Sequence, residues 1–336
     1  MQLSAAGLFR NFTRYRRGVI GRRALLLGGA ALVAGAGLAG CTLGESSIRL
    51  PWNPPSPLPL EAAPKLPAQL ATATALAQLL LDHAKAWKLS ARQVATLEWF
   101  GNALDEQAQV LLSSDPARRQ RVAAELPQVP KPTQKGAQAS WTALTSLLRT
   151  MQVEHTARAL PATGPAALLW ASLGAFCGTM ALRLPGGLAH RGDDGVERTP
   201  DLTATGRDQV LALCLQAIYS YELALAATGL SAAQRARLQS RLVGWRTFRD
   251  QVLALAPDAT ASPPPLGYDA RPATDATEAF ELAATAETAA LPILGAWLAG
   301  TASADERRLG VAQLATANTA CVDAGGVALR WPGWPA

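Results

Sequence analysis

Apolar residues recur three and four apart along most of the chain, and no stretch sustains an alternation of period two. That spacing is the seam of a helix packed on one face. It selects an all-α fold. Leu70, Ala73, Ala77, Leu80, Ala84 and Trp87 share one face of a first helix, beginning near residue 68. Ser90 caps a second, with Val94, Leu97, Gly101, Leu104, Ala108 and Leu111 in line. Trp141, Leu144, Leu148, Met151 and His155 mark a third, and a fourth spans about 165–183. The second half repeats the plan. Val210, Cys214, Ala217, Tyr221 and Ala224 line a fifth helix. Ser231 and Gln234 form a capping box for a sixth, with Leu238, Leu242, Trp245, Val252 and Leu255 inward. Phe280, Ala284, Glu287, Leu291 and Leu294 mark a seventh, expected to kink at Pro292. Ser303 and Glu306 open an eighth that Gly325-Gly326 closes.

Loop lengths organise these helices. Each half reads short, long, short, with prolines near 127–132 and 257–272 filling the long connections. A four-helix bundle with one long crossover has the ferritin-like connection pattern. The expectation is therefore two tandem four-helix bundles, at 68–184 and 205–336 with its tail, joined by a polar linker at 185–204.

The first 67 residues belong to neither bundle. Six arginines and no acid precede Ala24, and residues 24–39 are apolar or glycine. This run is shorter than the roughly 20 residues of a spanning helix, so it reads as an export signal over residues 1–40. Gly21-Arg22-Arg23-Ala24-Leu25-Leu26 looks like a twin-arginine signal. Leu38-Ala39-Gly40-Cys41 resembles the lipobox of bacterial lipoproteins, which implies a diacylated Cys41. Residues 41–67 then form a proline-rich tether, with Pro51, Pro54, Pro55, Pro57, Pro59, Pro64 and Pro67 excluding helix. The expected location is the outer face of the cytoplasmic membrane.

The net charge of +6 belongs to the signal. Six of the 31 basic residues lie before Cys41 and none of the 25 acidic ones does, so the remainder is balanced. Nucleic acid is not an expected partner.

The stretch LCLQAIYSYELALAATGLSAAQRARLQSRLVGWRTFRDQVLAL, with the ending RWPGWPA, resembles an actinobacterial ferritin-like family, DUF4439, over about residues 205–336. The resemblance implies a ferritin-like bundle and an exported lipoprotein context, and no established activity. The family's first helix carries a Glu-His pair followed by Tyr. The matching place here reads Gln216-Ala217-Ile218-Tyr219, without acid or histidine. The first half is similar only in helix and loop plan.

A di-iron centre needs inward carboxylates and Glu-x-x-His turns. His83, His155 and His190 have no glutamate three residues before them, and no histidine follows 190. No metal, cofactor or catalytic residue is therefore expected. Glu287 sits on the apolar stripe of its helix, and Tyr221, Glu222 and Glu281 are expected around it as a buried polar cluster. A structural carboxylate, bonded to Tyr221 or an arginine, is favoured over an acid-base role. His155 reads as a satisfied core or rim residue. Residues 159–182 carry no charge and hold Gly174-x-x-x-Gly178; a buried bundle helix is favoured over a membrane span. Arg191-Gly192-Asp193 carries no weight as an adhesion motif. Cys177, Cys214 and Cys321 read as buried thiols, with a Cys214–Cys321 disulfide as an alternative. Trp331 and Trp334 are expected to be exposed, as part of an interface with another envelope protein. The leading expectation is a non-enzymatic interaction or scaffold module; the alternative is a carrier of an apolar ligand or lipid in a bundle core.

Overall fold

The computed structural model describes residues 63–113, 122–123, 125–190, 205–255 and 271–334. The signal, Cys41, most of the tether, the linker with Arg191-Gly192-Asp193 and most of the second crossover lie outside them. Among the described residues there are eight α-helices and no strand. They are α1 Leu66–Asp82, α2 Ala91–Leu111, α3 Ala137–Ala159, α4 Gly164–Arg183, α5 Arg207–Leu225, α6 Ala232–Ala254, α7 Ala276–Gly300 and α8 Ala304–Asp323.

Local chemistry sets most helix ends. Ser90 with Gln93, and Ser231 with Gln234, form complete capping boxes. Gly325, at φ +88°, ends α8 in a Schellman turn: its N–H reaches Val322 O, and that of Gly326 reaches Cys321 O. Helix α1 begins two residues earlier than expected, at Leu66. Pro67 sits in its first turn, where no N–H is required, so proline opens this helix and does not exclude it. Residues 122, 123 and 125–135 are not helical. At α8 only half of the expected capping box forms. Ser303 Oγ accepts from Glu306 N, but the Glu306 carboxylate accepts from Thr301 and Arg207 instead.

Helix α4 is the centre of the body. Every residue from Ala166 to Ala181 is buried. It packs on α3, α7 and α8, so both halves share one hydrophobic core. Burying Leu168, Leu173, Phe176 and Met180 is worth roughly 1.5–3 kcal/mol each. Its glycine pair has a local reason: α3 lies tight against it. A Cβ at Gly178 would stand 2.7 Å from Gln152 Nε2, and one at Gly174 3.1 Å from Thr156 Oγ1. One residue further on, about 100° around α4, Asn318 of α8 donates to Ala175 O and Thr179 Oγ1. Helices α4 and α7 are both long and apolar enough to cross a membrane, and α4 is the more deeply buried in protein.

In the second half α5 packs on α6 and α7, and α8 packs on α7 and α6. In the first half α1 packs on α2 and α3, and α3 on α4. Phe100 of α2 stacks on Phe176 of α4 at 5.9 Å.

The C-terminal segment is a structural part of this body. Ala328 N donates to Ala189 O at 2.8 Å. A Cβ on Gly295 of α7 would sit 1.8 Å from Gly333 O, so only glycine lets the tail lie on that helix. Gly333 itself has φ +89° and packs on Leu314 and Leu168. Trp331 and Trp334 are both buried, contrary to the exposure expected of them. The tail carries no periodic pattern, so its burial is decided by the surface it meets.

Candidate functional site

Three helices converge on one carboxylate. Glu287 of α7 is fully buried. Its Oε1 accepts from Tyr221 Oη at 2.7 Å, Arg241 Nε at 2.6 Å and Trp245 Nε1 at 2.9 Å. Its Oε2 accepts from Arg241 Nη2 at 2.8 Å. Arg241 and Trp245 are one helical turn apart on α6, and the guanidinium lies 4.7 Å from the indole centroid. The ion pair is therefore forked and stacked, the geometry in which arginine is least replaceable by lysine.

The electrostatics follow from burial and from this pairing. Burial works against the charge on Arg241, but the hydrogen bond and charge of Glu287 overcome it and hold the guanidinium above its ordinary range. Burial, then the charge of Glu287 and the bond to it, raises Tyr221 far above the usual phenol range. Tyr221 thus keeps its proton and donates it. All contacts to Glu287 are donors, and its oxygens are turned to protein, not to solvent. The arrangement ties three helices together.

The expected cluster is half right. Tyr221 and Glu287 meet, whereas Glu222 and Glu281 are exposed. Glu222 is one residue past Tyr221, about 100° around the helix, and pairs with Arg246 at 2.7 Å instead. Glu281 lies six residues before Glu287, about 120° off its face. The expectation allows an arginine partner without naming one, and the structure identifies it as Arg241. Its place between Leu238 and Trp245 on the inward stripe was the available signal.

A second buried carboxylate has the same partners by type. Glu106 of α2 accepts from Arg330 Nη1 at 2.7 Å and Trp331 Nε1 at 2.6 Å. Gln107 beside it donates to Arg330 O at 3.1 Å. This node joins the first half to the tail.

The remaining singled-out groups lie apart. His155 is buried and stacked on Trp170 at 5.6 Å, with neither ring nitrogen bonded, so it is a core histidine but an unsatisfied one. Burial, then the nearby Arg158 charge, pushes it down to about 3. Cys177, Cys214 and Cys321 are buried free thiols. Burial pushes Cys177 and Cys214 up to about 12. Burial also raises Cys321, whose Sγ lies 3.1 Å from Thr288 Oγ1.

A cleft of about 330 Å³ opens beside the Glu287 node, lined by residues of α5, α6, α7 and α8, Tyr221 and Arg241 among them. A di-iron centre does not fit here. The guanidinium of Arg241 covers both oxygens of Glu287, and a fixed cation at that place opposes a metal. Among the described residues no group of three or more His, Cys, Asp or Glu could hold one.

The profile of a domain of unknown function, DUF4439, matches residues 207–336. This part of the chain belongs to the DUF4439 family. No match was found among curated proteins or solved structures. The DUF4439 segment starts at the first residue of α5 and contains the whole Glu287 node. Glu106 lies outside it, so the second node ties the DUF4439 tail to a helix that the family match does not cover.

Proposed function

We propose that the chain is an exported protein, held at the outer face of the cytoplasmic membrane through a diacylated Cys41. Its helical body serves there as a non-enzymatic interaction or scaffold module. The body is read as two four-helix units of ferritin-like connection, 68–184 and 205–336, on a proline-rich tether. The observation that carries the non-enzymatic reading is the saturation of Glu287: its most acid-like buried side chain spends its acceptor capacity on Tyr221, Arg241 and Trp245. The anchoring reading rests on the arginine-rich start and the Leu38-Ala39-Gly40-Cys41 match. Crosslinking in intact envelopes tests the module. A discrete protein partner retained after Glu287→Gln supports it, provided the variant folds; recovery of background proteins alone overturns it. Acyl labelling that survives Cys41→Ala would contradict the anchor.

A second reading is a small-molecule or lipid carrier, supported by the cleft to which all four DUF4439 helices contribute. Native mass spectrometry separates the two: a co-purifying lipid or small molecule favours the carrier.

A further inference from the structure

Two clefts meet at the end of α8. The first, of about 270 Å³, is lined by Arg92 of α2, Arg183 of α4 and Arg237 of α6, with Asp323 as the one acid among the lining residues. The second is the cleft beside the Glu287 node, and the two share Arg237 and Asp323. Asp323 engages only part of this donor set. Its carboxylate takes Arg183 Nε at 2.5 Å and Nη2 at 2.6 Å, and its backbone oxygen takes Arg237 Nη2 at 2.9 Å. Each guanidinium carries five N–H donors, so both arginines keep donors to spare. The Arg92 guanidinium has no hydrogen bond or ion pair among the described residues, although the backbone oxygen of Arg92 accepts from Thr96 Oγ1. Among the described residues, three guanidinium charges against one carboxylate leave two positive charges around a small concave space. The wall of the second cleft is apolar where Arg237 lies over the Phe280 ring, at 5.6 Å, beside Leu238.

We propose that this joined cleft binds a small phosphate-bearing molecule, its phosphate among Arg92, Arg183 and Arg237 and its apolar part against Phe280 and Leu238. A dianion matches the local excess of two charges. Guanidinium forks suit the tetrahedral oxyanion, with charge-assisted bonds that are stronger than neutral ones. The volumes suit a compact ester and not a polymer, consistent with the balanced charge of the chain beyond Cys41. Its apolar half lies in the cleft of the carrier reading, so the proposal rests on that reading and deepens it by giving the ligand a phosphate; native mass spectrometry tests the reading itself. The titration below needs no membrane, so its failure leaves the anchored module standing.

Calorimetric titration of the full chain tests it, with inorganic phosphate and hexyl phosphate as probes. Saturable binding of hexyl phosphate is expected, about tenfold tighter than inorganic phosphate through the buried alkyl arm. Arg92→Gln breaks no polar contact within the described structure, so it should fold as the parent does. It should weaken hexyl phosphate about tenfold, the loss of one charge-assisted contact. Arg237→Gln provides a second variant, with its folding checked by thermal melting. Hexyl phosphate that does not saturate, or that binds both folded variants as it binds the parent, overturns the site. Equal affinity for the two probes overturns the apolar half of the proposal. Phosphatidylcholine vesicles doped with phosphatidic acid identify the source. Binding to them that Arg92→Gln abolishes assigns a lipid headgroup; hexyl phosphate binding without vesicle binding assigns a soluble phosphoester.

Discussion

The two buried nodes use one chemistry for two tasks. Around Glu287 the arginine and the indole stand a turn apart on one regular helix, and a tyrosine from another helix completes the set. Around Glu106 the arginine and indole are consecutive residues of an irregular tail. The first node locks α5, α6 and α7 together inside the DUF4439 segment. The second closes the C-terminal segment onto α2, across the boundary of the family match. The difference teaches that a buried carboxylate with an Arg–Trp pair marks a joint in this protein, and that the joint's rigidity depends on what carries the donors.

Breaking the nodes separately should expose that difference. Glu287→Ala leaves Arg241 buried without a partner charge and should cost about 3–5 kcal/mol in chemical denaturation. Glu106→Ala should cost less, about 1–3 kcal/mol, because the irregular tail can swing out and hydrate Arg330. Hydrogen exchange sharpens the contrast. Glu106→Ala should raise exchange across residues 327–334 with little change in α6, whereas Glu287→Ala should raise it in α5, α6 and α7. Tyr221→Phe removes one donor of four from Glu287 and should cost about 1–2 kcal/mol. Glu222→Gln, at an exposed pair with Arg246, should stay within about 0.5 kcal/mol and serves as the control.

His155 adds a pH dependence that belongs to neither node. Its ordinary value is 6.5, and burial lowers it to about 3 in the folded chain. Between those values the unfolded chain binds the extra proton, so stability rises with pH across that window. Above 6.5 the contribution of this residue is flat, and it falls away as pH drops toward 3. His155→Phe, which keeps a ring against Trp170, should flatten that slope in melts taken across the window. An unchanged slope would assign it to other groups.

The helices were legible because their signals are local. The stripe Leu144, Leu148, Met151 and His155 is buried as its spacing requires, and Ser231 with Gln234 begins α6 as its chemistry requires. The joints were only half legible. Glu287 stands out as an acid on an apolar stripe, but its partner Arg241, although spaced three and four residues from Leu238 and Trp245, is singled out only when α7 is placed against α6. Glu106 gave no such signal, because its donors come from 224 and 225 residues away. The tail lacks any period, and its position depends on Gly295 meeting Gly333, a contact between residues that no spacing rule links.

The most direct test of the Glu287 node as a structural joint is a double-mutant cycle by chemical denaturation, with Glu287→Leu, Arg241→Met and both together. A joint predicts that each single change is strongly destabilising. The double variant should then recover much of the loss, because no charge is left buried alone. Two losses that simply add would contradict it, since they would mean that Glu287 and Arg241 act on the fold independently.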